Sequence, residues 1–249
     1  MFFVGHISIA FILCYFLVEK FQVRNVSLAL VLFLSILPDI DILFRFTGVD
    51  IAHRSITHSV IVFAIILLIF LLKYKRPSSI MVYSIAYLSH LAIGDLIAGP
   101  LNLLYPFGTL YLNGWIGFKT YEHIMVEGVL LTIMVTIAIS QCLRAPKRDD
   151  AFPFAYSKKL DPIFYPLVIF GIVVSPLFLL DESQKELFEF PDTIFSLLQS
   201  HDNIKAIAIL ALHAFSISIV IFLWIITLRK MYSPYTYKAR EKQRSQHKL

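Results

Sequence analysis

Cysteine is nearly absent: 249 residues hold only Cys14 and Cys142. Both fall at ends of apolar runs, so no disulfide framework is implied, and the disulfide-stapled secreted class is excluded. Charge is scarce as well, with Asp, Glu, Lys and Arg making up 16% of the chain against about 25% in soluble domains. No Lys or Arg precedes the first apolar run and no small-residue cleavage site follows it. The start of the chain is therefore expected to stay as a helix and not to be removed as a secretory leader. No internal repeat is visible.

What the chain has in excess is apolar surface. Hydrophobic residues reach 58% and the mean hydropathy is +0.75, well beyond a soluble domain. Apolar runs cover Phe2 to Val18, Val26 to Phe44, Ile56 to Leu72, Ile80 to Ala98, Ile124 to Leu143, Ile163 to Leu180 and Ile204 to Leu228. A spanning helix needs about 20 apolar residues. The pattern predicts an all-α polytopic membrane protein of about seven transmembrane helices, with five or six as the lower counts because the first and third runs are short.

Basic residues orient it. The connections 19–25, 73–79 and 144–162 and the tail from Arg229 hold 17 Lys and Arg, and the opposite connections hold 5. Under the positive-inside rule the N-terminus is outside and the C-terminus cytoplasmic. The net charge of +5 and pI near 9.1 lie mostly in those cytoplasmic segments. Orientation and attraction to anionic membrane lipids account for them, and no nucleic-acid partner is implied. The organisation expected is a core over residues 1–130, further transmembrane helices over 131–228, and a disordered basic tail over 229–249.

Against this apolar background the ionisable groups stand out by position. His6 lies one turn inside the first run. P-D-I-D, residues 38–41, closes the second, where Pro38 should break the helix and let Asp39 and Asp41 both turn inward. H-R-S-I-T-H-S, residues 53–59, brings His53, Arg54 and His58; S-H-L-A-I-G-D brings His90 and Asp95; H-I-M-V-E brings His123 and Glu127 on one helical face. With alternating helix directions all of them gather at the outer membrane face, within roughly 12 Å of the surface at a rise of about 1.5 Å per residue. Ionisable groups are costly in a bilayer and usually functional. A polar loop between two apolar segments is the plain alternative for any one of them.

Imidazole and carboxylate are the ligands of zinc and its neighbours in water-activating centres. His6, Asp39, His53, His58, His90, Asp95, His123 and Glu127 are the candidate ligands of a divalent metal, zinc foremost. They exceed what one ion can use, so either two or three ions bind or some residues orient the others. Asp41 is the candidate proton acceptor, and Arg54 the cation that would stabilise negative charge in a transition state. The apolar but Pro- and Gly-broken stretch 99–115 reads as a half-buried segment covering the site.

G-H-I at residues 5–7, L-P-D-I-D, H-R-S-I-T-H-S, S-H-L-A-I-G-D-L and L-Y-P-F-G together resemble the LexA-regulated inner-membrane proteins predicted to be metal-dependent hydrolases. The resemblance covers residues 1–130. It implies a plasma (inner) membrane protein of a bacterium or archaeon, with the family's polar pattern falling on His6, Asp39, Asp41, His53, His58, His90 and Asp95. There is one departure: the family has H-x-x-x-D where four residues separate His90 from Asp95. Joint ligation then needs a π-bulge or an unwound turn near Gly94. The order of His and Asp is also similar, more distantly, to zinc-dependent phospholipase C and P1-type nucleases, which implies a role for His123 and Glu127.

The function expected is a membrane-embedded hydrolase acting on a phosphoester, a small molecule or a lipid-linked substrate at the outer face. Two other classes stay open: a divalent-ion or proton transporter, whose path would need polar groups through the whole thickness, and an envelope scaffold with a structural metal. His213 is the one ionisable residue deep in the later runs, and packing is its plainer reading.

Overall fold

The computed structural model describes residues 1–41, 56–74, 76–98, 101–108, 110–112, 115–116, 120–144, 152–179 and 203–232. The loop that carries His53 and Arg54, the connection 180–202 and the tail from residue 233 lie outside them. The described residues form seven main helices: α1 (Phe3–Lys20), α2 (Leu28–Ile36), α3 (Val60–Lys73), α4 (Pro77–Ser89), α5 (Tyr121–Arg144), α6 (Asp161–Leu179) and α7 (Asn203–Tyr232). The all-α expectation holds. The extended backbone among the described residues is a two-residue pairing, β1 (Leu101–Asn102) with β2 (Tyr111–Leu112), and a bridge from Ser27 to Ala155.

Local chemistry sets where each helix begins and stops. After α1, Gln22 and Asn25 take positive φ values of 49° and 66°, left-handed positions that reverse the chain and that Asn tolerates better than most residues. Ser27 then caps α2, its Oγ accepting the Leu30 N–H at 3.2 Å. α2 ends after nine residues because Pro38 has no N–H to give, and the chain tightens into a 3₁₀ turn over Leu37–Ile40. Ser59 caps α3, and Pro77 opens α4 at the position where its missing N–H costs nothing. α4 widens into a π-helical turn over His90–Asp95 before a last turn at Leu96–Ala98.

α1 is the hub, packing on α2, α4 and α5; α2 also packs on α4 and α6, and α7 on α5 and α6. Phe11, Val31, Tyr83, Met134, Ile172 and Val220 belong to one continuous core. The outward faces are apolar too, with Leu72 of α3, Met125 of α5 and Ile204 of α7 exposed. Apolar inside and outside is the pattern of a helix bundle whose solvent is lipid. Three helices, α1, α5 and α7, are long and apolar enough to cross a bilayer by length and composition; α3 and the apolar parts of α2 and α6 are shorter. Seven spans are thus not confirmed, although each predicted run contains a helix. The missing length in α2 and α4 lies in the 3₁₀ and π turns that carry polar residues.

At the end of the bundle away from those turns, Ser27 ties three elements together. Its Oγ donates to Asp161 Oδ1 at 2.6 Å and its N–H to the Tyr83 hydroxyl at 3.0 Å, while Ala155 N–H donates to the Val26 carbonyl at 2.8 Å. Phe152 and Phe154 of the same connection are buried, Phe154 against Phe11. Ser27→Ala removes both a helix cap and the donor to a buried carboxylate, and is expected to lower stability by about 1–3 kcal/mol. Thermal unfolding in detergent checks this, and an unchanged midpoint would contradict it.

Candidate metal centre

The start of α1 and three breaks in helical order bring the polar residues to one end of the bundle. His6 comes from the first turns of α1, Asp39 and Asp41 from the 3₁₀ turn that Pro38 enforces, His58 from the turn before α3, and His90 and Asp95 from the π turn. All six are buried, none more than 3% exposed. On a regular helix, residues five apart point to different faces. The π turn cancels that offset, so the His90 Nε2 and Asp95 Oδ2 atoms lie 3.4 Å apart.

The hydrogen bonds decide which nitrogen each imidazole offers. His90 Nδ1 lies 2.7 Å from the Ser35 carbonyl, an acceptor only, so Nδ1 carries the proton and Nε2 a lone pair. Thr57 Oγ1 donates to Asp41 Oδ2 at 2.9 Å and therefore accepts from His58 Nδ1 at 3.1 Å. His58 Nε2 is left with a lone pair as well. The two Nε2 atoms are 3.1 Å apart. Asp39 Oδ1 lies 3.2 Å from His58 Nε2 and 3.4 Å from His90 Nε2, and Asp95 Oδ2 lies 3.5 Å from His58 Nε2.

Lone pairs and carboxylates so placed repel unless positive charge sits among them. A proton could quiet one pair; a metal ion would satisfy three of these atoms together. Four ligands at the about 2.0–2.1 Å usual for zinc stand about 3.3–3.4 Å apart at the edges of a tetrahedron. The five distances between His58, His90, Asp39 and Asp95 run from 3.1 to 3.5 Å. Of these, His58, His90 and Asp95 form one grouping whose ligand atoms lie close enough for a single ion, and its edges of 3.1, 3.4 and 3.5 Å suit three corners of a zinc site. His6, Asp39 and His90 form a second grouping, and Asp39, Asp41 and His58 a third. His6 stacks on His90 with ring centroids 3.6 Å apart, and its Nε2 is 3.8 Å from Asp39 Oδ2, the oxygen that does not face His58.

His123 and Glu127 are placed differently. They pair with each other, Nε2 to Oε1 at 3.0 Å, and Glu127 also accepts the backbone N–H groups of Phe2 and Gly5 at the start of α1. The Phe2 ring lies 4.8 Å from the His123 ring and 5.6 Å from the His213 ring. Neither His123 nor Glu127 enters the three groupings of potential ligands found among the described residues. Glu127 acts as a helix cap supplied by another helix, holding α1 and with it His6. Glu127→Ala leaves buried N–H groups unsatisfied, at about 1–3 kcal/mol. A lower thermal midpoint for Glu127→Ala, partly recovered in Glu127→Gln, is expected.

Several contributors were not singled out from sequence. Thr57 orients His58 beside Asp41, which the sequence did single out, the Ser35 carbonyl orients His90, and the Tyr87 hydroxyl donates to the Thr57 carbonyl at 2.7 Å. Gly94 matters for a different reason: a Cβ there would stand 2.2 Å from His6 Nδ1. The π turn and the His6 ring can meet only because position 94 has no side chain. Stretch 99–115 supplies the β1–β2 hairpin, whose Leu103 carbonyl accepts the first N–H of α3 while Trp115 and Ile116 donate to Leu96 and Ile97.

An all-helical bundle of apolar faces with one buried group of histidines and aspartates defines a class: a membrane protein with a polar centre at one end. Residues 1–174 match the model of the YdjM inner membrane protein family, so the chain belongs to that family. The match runs past the expected residue 130 through all of α5 and most of α6. No curated protein and no solved structure matches the chain, and the likeness to phospholipase C and P1-type nucleases finds no support there.

Proposed function

We propose that this inner membrane protein is a metal-dependent hydrolase acting on a phosphoester or lipid-linked substrate at the extracytoplasmic face. One observation carries the reading: two imidazoles whose Nδ1 protons are committed present Nε2 atoms 3.1 Å apart between two aspartates. His58, His90 and Asp95 would hold one ion and leave a position for water; His6 and the second oxygen of Asp39 are the groups that would hold another. Bound there, a zinc-class ion supplies a Lewis acid and a water of lowered pKa. The chain's own part is to orient and to dry the site. Asp41 lies beside Nδ1 of His58, 3.7 Å away, on the ring edge opposite Nε2, which favours an orienting role over proton acceptance from a water at the centre. Arg54 and His53 keep the roles expected of them from sequence, as proposals. The bias of 17 basic residues against 5 supports the outward-facing site.

A second reading has an observation of its own. Asp39 Oδ1 lies 3.2 and 3.4 Å from the same two imidazole nitrogens, and as a fourth protein ligand it would close the site as in structural zinc sites, which favours an envelope scaffold held by metal. Transport is less favoured, because His213 is packed in place by Ser175 at 3.4 Å and the Ile209 carbonyl at 2.7 Å. The test is elemental analysis of protein purified without chelator, followed by assay of phosphate or headgroup release from phosphoesters and phospholipids. Activity lost on chelation and restored by zinc is expected. No metal in the preparation overturns the hydrolase reading, and tightly held metal with no turnover supports the scaffold.

A further inference from the structure

A cavity of about 120 Å³ adjoins the centre, between the start of α1, the end of α2 and the middle of α6. Its wall is made by apolar groups such as Phe3, Ile36 and Val174, and its polar side chains are Asp39 and Ser175. Ser175 is engaged with His213, so Asp39 is the group through which the cavity meets the candidate ligands. The opposite end is open. Leu167 is 42% and Phe170 52% exposed there, and the adjoining outer face of α6 is apolar at Ile163 and Val173.

An apolar cavity stays dry and takes an apolar guest. In an inner membrane protein an exposed apolar helix face borders lipid chains, so a guest entering past Leu167 and Phe170 arrives from the bilayer and not from water. Moving a chain from lipid into this cavity brings no hydrophobic gain, because both surroundings are equally apolar. Selection must then come from shape and from what lies at the inner end. That end is a carboxylate shared with three candidate ligands, His6, His58 and His90. Gly171 contributes to the fit: a Cβ there would meet Phe3 at 2.9 Å and Ile36 at 3.0 Å, so its absence lets α6 close the cavity from one side.

We infer that this cavity is an aliphatic-chain subsite, and that the substrate is a membrane amphiphile that enters sideways from the bilayer, lays a chain between α1, α2 and α6, and presents its polar group at Asp39. The inference rests on the hydrolase reading for its chemistry and on the cavity for the chain.

The test uses full-length protein in lipid nanodiscs and a long-chain alkyl phosphate carrying a diazirine at the chain end. After irradiation, adducts are mapped by mass spectrometry. Adducts concentrated on residues 167–171, the end of the cavity away from Asp39, and reduced severalfold in Val174→Trp and Leu167→Trp, are expected, with a short-chain alkyl phosphate failing to compete. Phe170→Ala, which widens the entrance, should label at least as strongly as wild type and guards against a plugged variant that merely misfolds. Adducts spread evenly over the exposed faces of α3 and α7, unchanged by either tryptophan, overturn the inference. Metal content measured on the same samples separates the two ideas. Labelling of the cavity in a protein without metal keeps the chain site and removes the hydrolase, whereas metal with unaffected labelling does the reverse.

Discussion

His58→Ala is expected to strip the protein of metal while leaving it inserted and folded. His58 Nε2 makes three of the five close distances that outline the centre, to His90, Asp39 and Asp95. Without it, His90 and Asp95 are left as two ligands of their grouping, fewer than the three protein ligands a catalytic zinc keeps. Outer partners that only orient a ligand typically cost 10–100-fold in affinity when removed, so the loss of the ligand itself should exceed that range. Thr57→Val is the control that falls inside it, because Thr57 only holds the His58 Nδ1 proton and the Asp41 carboxylate. Elemental analysis and chelator competition read both variants. Wild-type stoichiometry in His58→Ala would refute the centre, and equal losses in the two variants would show that His58 does no more than orient. The apolar faces of α3 and its neighbours are untouched, so membrane insertion is expected to persist.

The difference between these two residues also marks how far the sequence could be read. The six buried side chains of the centre were legible because each breaks an apolar run, and breaking such a run is costly in a bilayer. The π turn was legible for a stricter reason: a histidine and an aspartate five apart can share a site only if the helix widens between them, and it does over His90–Asp95. Glu127 shows the limit. Its spacing from His123 put both on one helical face, but whether that face meets a metal or backbone N–H groups depends on Phe2 and Gly5, more than 120 residues away in the chain. Pattern within one helix carries no information about such a partner. The cavity beside Asp39 was invisible for the same reason, since its walls come from α1, α2 and α6 and no periodicity links them. The count of seven spans stands unconfirmed for another reason. Hydropathy averaged over a run sees apolar length, whereas the 3₁₀ turn after α2 and the π turn after α4 shorten the regular helix with only one or two polar residues each.

Gly94→Ala is expected to damage the site almost as severely as loss of a ligand, although it adds one methyl group and removes no donor. The new Cβ would stand 2.2 Å from His6 Nδ1 and 2.3 Å from its Cε1, so one of them has to move. The π turn is held by His90 and Asp95 on either side of position 94, and the His6 ring is stacked against His90 at 3.6 Å. The imidazole is the more mobile partner, and it would be driven off Asp39. Overpacking of this kind costs about 1–3 kcal/mol, enough to lower the thermal midpoint but not to unfold a bundle whose core lies elsewhere. The ion held by His58, His90 and Asp95 should stay, and the one that depends on His6 and Asp39 should go. Gly94→Ala should therefore lose one ion per chain where His58→Ala loses the centre, and hydrolysis should fall in both. His6→Ala supplies the comparison, since it relieves the clash while removing the same ligand. If Gly94→Ala kept full metal content and activity, His6 would not be a ligand, and the centre would reduce to the single ion of His58, His90 and Asp95.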